Sequence, residues 1–530
     1  MTGSLTDSPA DLIHGTFSDD PPWLVEPDAM AWLAGVDTIR TATSRRLPSL
    51  ITPPRLPPLR RAITVVRHVG WALAAWLVVG RRKGGSESTA DLSRRMREAA
   101  ETLGPTYIKL GQIISSGEGV FPTELVEEFA KCRDQVPAES FASIRRAVEA
   151  DLGATLESTF AEFSREPIAA ASIAQVHAAT LHNGTEVVVK VQRPTVDDLV
   201  HKDLRVMAWL SPYLVGRIPV ASLANPPALV EVFAHTISEE LDFRLEAANM
   251  LDVARVFADL EQTHFVVPRP HPELVTRRVL VMERLDGFRF DDVERYDELG
   301  VDTHAAVRAG MIGFMEGALI HGIFHGDLHG GNLYVLDDGR TALLDFGITG
   351  RMTEAKRLAF VRLLIGGMMN NPVDQLAAMR DLGALPADTD LEAVAKDLGL
   401  LDEVVDPLSM TPDQLTEELQ RIVKALLGYG ARMPKELMLF VKNMVFLDGA
   451  IAKLAPDLDL FAEITHVATY FVSAHGARLA AEVGMDPDEY EFDPDGIRAA
   501  FGVDAQTERM TYRELQERRE TISRRLRNRV

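Results

Sequence analysis

The sequence predicts an α+β chain of two unequal lobes, a small antiparallel lobe followed by a mainly helical large lobe, with a helical extension in front. Residues from Ile168 to Gln192 read as strands around an Asn183-Gly184 turn. From about Asp291 onward, apolar positions recur at helical spacing, with a single short hairpin between them. Helical periodicity between residues 88 and 160 places further helices ahead of the strands. At 530 residues, with 46% hydrophobic and 25% charged side chains, the chain can bury a large core and hold more than one domain.

Taken in order, residues 1–60 form an irregular leader rich in Pro, Ser and Asp, with Pro53-Pro54, Pro57-Pro58 and one short helix. Its early acids, Asp7, Asp11, Asp19 and Asp20, are unlike a secretory signal or an Arg-rich presequence, so the expected location is cytoplasmic. Residues 61–85 hold an apolar run, Val69 to Val79, with Trp71 and Trp76. Around it every charge from Arg40 to Lys83 is positive. A bilayer span needs roughly 20 apolar residues, and extending this run backwards brings in Arg67 and His68. Three readings stay open: a helix lying in an anionic membrane interface, a helix packed on the body, and a span. The first would make the protein peripheral at the inner face of the membrane.

Residues 86–165 give the helical extension, with periodic stretches Ala90 to Leu103, Tyr107 to Ser115, Pro122 to Cys132 and Phe141 to Leu152. The small lobe takes residues 166–286 and includes a helix expected from Val230 to Val256. The helical large lobe takes residues 287–475. A tail at 476–530 ends in a charged helix, Glu514 to Arg529, and no internal repeat appears. The formal charge of −22 argues against a nucleic-acid partner, because neutralising phosphates needs a basic surface. A single cysteine, Cys132, rules out an internal disulfide and a cysteine-based zinc site, which fits a reducing compartment.

The chemistry is carried by two short runs, His325-Gly326-Asp327-Leu328-His329-Gly330-Gly331-Asn332 and Asp345-Phe346-Gly347. They resemble the catalytic and metal loops of the protein-kinase-like fold. There one carboxylate orients or deprotonates the attacking hydroxyl, while an Asn and a second carboxylate hold magnesium on ATP. Asp327 is the candidate base. Asn332 follows five positions later and Asp345 thirteen after that, with Tyr334-Val335-Leu336 and Thr341-Ala342-Leu343-Leu344 as a hairpin between. In Glu186-Val187-Val188-Val189-Lys190-Val191-Gln192 a lysine sits within a β-branched strand, and burying it requires an anion. Kinase-like folds supply the ATP phosphates and a helix glutamate, here Glu246. A glycine-rich phosphate loop should precede this strand, yet Ala169-Ala170-Ala171-Ser172 stands in its place. That substitution predicts a more crowded turn and an altered nucleotide pose or slower phosphoryl transfer.

Lys109-Leu110-Gly111-Gln112, the run Ala169 to His177, Glu240-Leu241-Asp242 with Glu246-Ala247, and the two loops together resemble the UbiB (AarF) family of atypical kinases. The resemblance covers roughly residues 90–460 and implies a bilobal protein-kinase-like fold using ATP and Mg2+. It further implies a part in isoprenoid quinone or other lipid metabolism, with an isoprenoid lipid or lipid-biosynthesis enzymes as partners. It places Lys109 and Gln112 on a helix laid over the active site, with Lys109 near Glu240 and Asp242, so that protein substrates are excluded. Lys190 pairs with Glu246, Ala169 to Ser172 cover the nucleotide, and Glu283 joins the ATP-binding residues. The chain departs from the family pattern at Leu328 and Gly330, where proline is frequent, and along Ile113 to Gly119.

Two alternatives share the loops. Aminoglycoside and choline kinase-like phosphotransferases carry a similar His325 to His329 run but lack the Lys109-Leu110-Gly111-Gln112 extension. An ATP-binding scaffold without turnover is the other. His321, His325 and His329 recur every four residues, yet Gly322, Gly326, Gly330 and Gly331 break any helix that would gather them on zinc. Oxygen ligands for magnesium fit better.

Overall fold

The computed structural model describes residues 17–18, 22–23, 30–115, 122–132, 137–214, 226–369, 371–400, 421, 425–426, 428–431, 434–484 and 509–527. Most of the expected leader before residue 30, the stretch from residue 116 to Gly119, and residues 485–508 of the expected tail lie outside the described residues. The fold is α+β and kinase-like. The chain divides into two units. The first takes residues up to Gly287 with Asn332–Leu336 and Ala342–Ile348; the second takes Phe288–Gly331, Asp337–Thr341 and the chain from Thr349 on.

The first unit opens with helices α1 (Val36–Ile51), α2 (Leu59–Val78), α3 (Gly85–Leu103), α4 (Pro105–Ser115), α5 (Thr123–Phe129), α6 (Phe141–Leu152) and α7 (Leu156–Thr159). Helix α6 starts where Ser140 accepts a hydrogen bond from Ser143 N and stops at Gly153 in the left-handed region, a glycine-favouring C-terminus. Strands β1 (Phe160–Phe163), β2 (Ala169–Ala170), β3 (Ala174–Leu181) and β4 (Glu186–Gln192) follow. Then come α8 (Val196–Leu214), α9 (Pro226–Glu240), α10 (Phe243–Asp259) and strands β5 (Phe265–Val266), β6 (Pro270–Val275) and β7 (Val279–Glu283). The main sheet runs β1-β3-β4-β7-β6, all antiparallel, with β2 also on β3.

Alternation sorts the central strand. Val187, Val189 and Val191 are fully buried against Ile144 and Val148 of α6, which turns Val188, Lys190 and Gln192 to the other face. The helix expected from Val230 to Val256 is instead two, α9 and α10, broken at Leu241-Asp242. Asp242 takes an extended conformation and accepts from Arg244 N, so the side chain read as helix interior begins a new helix.

The second unit holds β8 (Phe288–Arg289), α11 (Val293–Leu299), α12 (Thr303–Glu316), a π-helical turn at Gly317–His321 and β9 (Ile323–His325). The hairpin strands β10 (Leu333–Val335) and β11 (Thr341–Leu343) come next in the chain, with β5 beside β11 in their sheet. The second unit resumes with β12 (Thr349–Arg351), α13 (Glu354–Met368), α14 (Pro372–Asp381), α15 (Leu391–Asp397), α16 (Lys435–Leu454), α17 (Leu460–Val483) and α18 (Tyr512–Arg527). Strands β9 and β12 form a two-stranded ladder flanking the catalytic loop, Thr349 opposite His325. At three residues each they are too short to announce themselves by alternation. Their close approach depends on Gly350, where a Cβ would lie 2.2 Å from the Phe324 ring.

Candidate active site

Lys190 sits on the central strand β4, opposite Val176 on one side and Leu280 on the other. Only 7% of it is exposed. Its Nζ donates to Glu246 Oε1 at 2.6 Å and to Asp345 Oδ1 at 3.1 Å, and lies 5.5 Å from the centre of the Phe243 ring. Burial alone would push the ammonium down, but the Asp345 and Glu246 carboxylates reverse this and hold it above the ordinary lysine range. Glu246 is pushed up to about 7 by burial, against the attraction of Lys190 and with the repulsion of Asp345 and Glu240. The start of α10 fixes Glu246 in place. Asp242 caps the helix and chelates the Arg244 guanidinium, Nε at 2.9 Å and Nη2 at 2.7 Å.

Asn332 and Asp345 are held side by side through the backbone, since Leu344 N donates to Asn332 O at 2.8 Å. Asp345 adopts φ 58°, a left-handed conformation rare outside glycine and one that collects at functional sites. Gly347 N donates to Asp345 Oδ1 at 3.2 Å, and Asn249 Nδ2 of α10 donates to Phe346 O at 2.9 Å. Helix α10 therefore positions both carboxylates that meet Lys190. Asp345 keeps a side chain 46% exposed while Lys190 and Glu246 are enclosed, so it is the carboxylate open to a ligand.

The alanine run is part β-ladder and part turn. Ala169 pairs with Val176 and Ala170 with Gln175, Ala171 N donates to Ala174 O at 2.9 Å, and Ser172 is buried. Arg193 grips the turn, donating from Nε to Ala171 O at 3.0 Å while its own N donates to Ile173 O at 2.9 Å. Lys109 on α4 reaches Glu240 at the end of α9, Nζ to Oε1 at 3.0 Å, with both side chains largely buried. Gln112 lies half-buried about one turn further along α4. Glu240 in turn packs on the metal loop, since a Cβ on Gly347 would stand 3.2 Å from Glu240 Cγ. Asp242, expected beside Lys109, has its carboxylate in the fork of Arg244.

Glu283 ends β7 with its carboxylate occupied. Oε2 accepts from Arg269 N at 3.1 Å, Oε1 accepts from Ser18 Oγ, and its own N donates to Arg269 O at 2.8 Å.

In the second unit Asp327 follows β9. Its N donates to His325 Nδ1 at 3.2 Å, which gives that histidine a loop-supporting role. Gly331 N donates to His329 Nδ1 at 3.0 Å. Two residues of α16 complete this loop and were not singled out by the sequence. Lys442 Nζ contacts Asp327 Oδ1, and fully buried Asn443 accepts from Leu328 N at 2.9 Å and donates to His325 O. A signal existed: Asn443 falls at helical spacing among buried Leu439, Phe440 and Leu447, and a polar group on an apolar face needs partners.

The ABC1 atypical kinase-like domain family matches residues 131–379. An uncharacterized protein of Mycobacterium tuberculosis is 34% identical over 420 residues, covering 77% of this chain and 84% of the relative. An uncharacterized aarF domain-containing protein kinase of Arabidopsis thaliana, chloroplastic, is 32% identical over 69% of this chain and 73% of its own length. A probable protein kinase UbiB of Aliivibrio fischeri is 30% identical over 70% of this chain and 69% of its own length. With a shared lysine between two carboxylates, an alanine turn where glycines are customary and this likeness across most of both chains, the chain belongs to the UbiB/AarF family of atypical kinase-like proteins.

Proposed function

We propose that the protein is an atypical kinase or ATPase that binds Mg-ATP and supports isoprenoid quinone or other lipid metabolism. The observation that carries this reading is buried Lys190 divided between Glu246 and partly exposed Asp345. Enclosing Lys190 with Glu246 gains little for stability, whereas a lysine aimed by one carboxylate beside a second, half-open one that can hold magnesium suits a triphosphate. The donor set suits magnesium rather than zinc: one amide oxygen from Asn332 and one carboxylate from Asp345, leaving positions for water and phosphate oxygens. Magnesium-bound ATP would supply the phosphoryl group and have its charge neutralised. Lys190 would hold phosphate oxygens while Glu246 keeps it aimed, and Asn332 with Asp345 would carry the metal. Asp327 would accept the proton of the attacking hydroxyl. The Lys109–Glu240 pair and the pinned alanine turn support a covered site that takes a small hydroxyl compound, a lipid or water in preference to a protein.

A second observation supports action at an anionic membrane surface. Helix α2 turns Ala62, Val65 and Ala72 inward, yet leaves Leu59, Ile63, Trp71, Leu77 and Val78 exposed, Trp71 at 76%. Leu59–Lys83 is the one stretch among the described residues long and apolar enough to cross a membrane by length and composition. A span would have to pull Arg61 from Asp203, its partner on α8 at 3.0 Å. Lying in the interface keeps that bond and gives the apolar face lipid, with Arg60, Arg67, Arg81 and Arg82 beside anionic headgroups.

ATP turnover by the purified protein with magnesium, with and without anionic liposomes and beside Asp345→Asn, tests both readings. The expected result is turnover stimulated by liposomes, with activity lost and magnesium-nucleotide binding weakened in the variant. Equal rates in buffer and liposomes would remove the membrane reading. Unchanged cellular function in Asp345→Asn would point to a scaffold, and an unaltered quinone profile in a deletion strain would defeat the metabolic link.

A further inference from the structure

The catalytic loop brings one carboxylate and no permanent cation of its own. From Ile323 to Gly331 there is no lysine or arginine, and position 329, two beyond Asp327, is histidine. The cation that meets Asp327 comes from 115 residues further along the chain. Lys442 contacts Asp327 with both side chains mostly enclosed, 18% and 16% exposed. Its neighbour Asn443 is bonded on both sides to the loop backbone, at Leu328 N and His325 O, so α16 cannot slide relative to Asp327 without breaking two buried hydrogen bonds. A surface lysine that merely happens upon a carboxylate has no such registration.

Resting on the proposed phosphotransfer, we infer that Lys442 is the catalytic cation that meets the transferred phosphoryl group at Asp327. The chemistry gives such a cation a role. When the acceptor O–H attacks, its proton passes to the Asp327 carboxylate, the new O–P bond forms and the bond from phosphorus to the ADP oxygen breaks. The acceptor oxygen touches Asp327 and phosphorus at once, so the phosphoryl oxygens arrive within a few ångströms of a carboxylate and repel it. An ammonium already in contact with that carboxylate relieves the repulsion and is preorganised for it. In this step the transferred proton goes to Asp327, and Lys442 contributes only its charge. Asn443 is a positioning residue, acting through Leu328 and His325.

The test compares wild type, Lys442→Met and Lys442→Arg for magnesium-dependent ATP turnover, and titrates ATP, ADP and ADP with aluminium fluoride, all with melting temperatures in parallel. A donor aimed at transition-state charge is worth about 10²–10³ in rate. Lys442→Met should lose kcat by about that factor with KM little changed, keep its affinity for ADP, and lose the extra affinity for ADP with aluminium fluoride. Lys442→Arg should recover part of kcat. Wild-type turnover matched by Lys442→Met overturns the inference and leaves the phosphotransfer reading standing. If the wild type binds nucleotide without turnover, undiminished aluminium fluoride affinity in Lys442→Met overturns it instead. A wild type that binds no magnesium nucleotide overturns both.

Discussion

Gly111, inside Lys109-Leu110-Gly111-Gln112, should be needed for close packing of α4, and Gly111→Ala is the perturbation that shows it. A Cβ there would stand 2.5 Å from Phe129 Cδ1, 3.0 Å from Phe129 Cε1 and 3.1 Å from Cys132 Sγ. Carbon atoms settle at about 3.5–4.0 Å, so the contact is about 1 Å too short. Phe129 on α5 is 5% exposed, inside a close-packed interior that resists its displacement. Overpacking of this kind costs about 1–3 kcal/mol. Within a helix the same change gains about 1 kcal/mol from propensity, so the net loss should be no more than about 2 kcal/mol. The two contributions separate in a Phe129→Leu background, where the clash is relieved and the propensity gain stays. Denaturant midpoints of wild type, both single variants and the double variant should give a coupling of about 2 kcal/mol. Gly111→Ala stabilising both backgrounds equally would refute the reasoning. A retreat of α4 by the missing ångström also draws Lys109 from Glu240, so ATP turnover should fall with stability.

Two further outcomes follow from buried charge. Glu246 is raised from its ordinary 4.5 to about 7, so the folded state binds its proton more tightly than the unfolded chain does. The stability this contributes is complete below pH about 4.5 and is lost as pH rises through about 7. Across the same window Glu246 gains the charge that aims Lys190, so turnover should rise with a midpoint near 7. Glu246→Gln should abolish that limb, and a pH–rate profile that keeps it would assign the limb to another group. Arg61→Ala should destabilise the first unit by about 3–5 kcal/mol, because it leaves fully buried Asp203 without its counter-charge. Arg61→Met with Asp203→Leu should recover most of this in thermal melts.

What the sequence made legible was the chemistry that obeys short-range rules. A lysine within a β-branched strand demands an anion, and the structure supplies Glu246 and Asp345. The hairpin between Asn332 and Asp345 follows from alternation and a glycine turn, and Gly339 indeed takes φ 83°. Side-chain direction at the end of an element was not legible. Glu283 accepts from Arg269 N and Ser18 Oγ, and Asp242 holds Arg244, partners that strand and helix periodicity do not announce. The continuous helix across Leu241-Asp242 failed for a related reason, since one capping aspartate outweighs a long apolar period. Lys442 and Asn443 stayed hidden because no local pattern links residues 115 positions apart.

The Asn443 clasp bears on where a working fragment can be cut. The family match stops at residue 379, and it begins after Lys109. A recombinant piece trimmed to those bounds would lose the helix that fastens Leu328 and His325, together with the lysine against Asp327. Such a piece would retain every motif of the catalytic and metal loops and still present a loosened one. Activity assays on trimmed domains would then report the loss of a distant support rather than an inert enzyme.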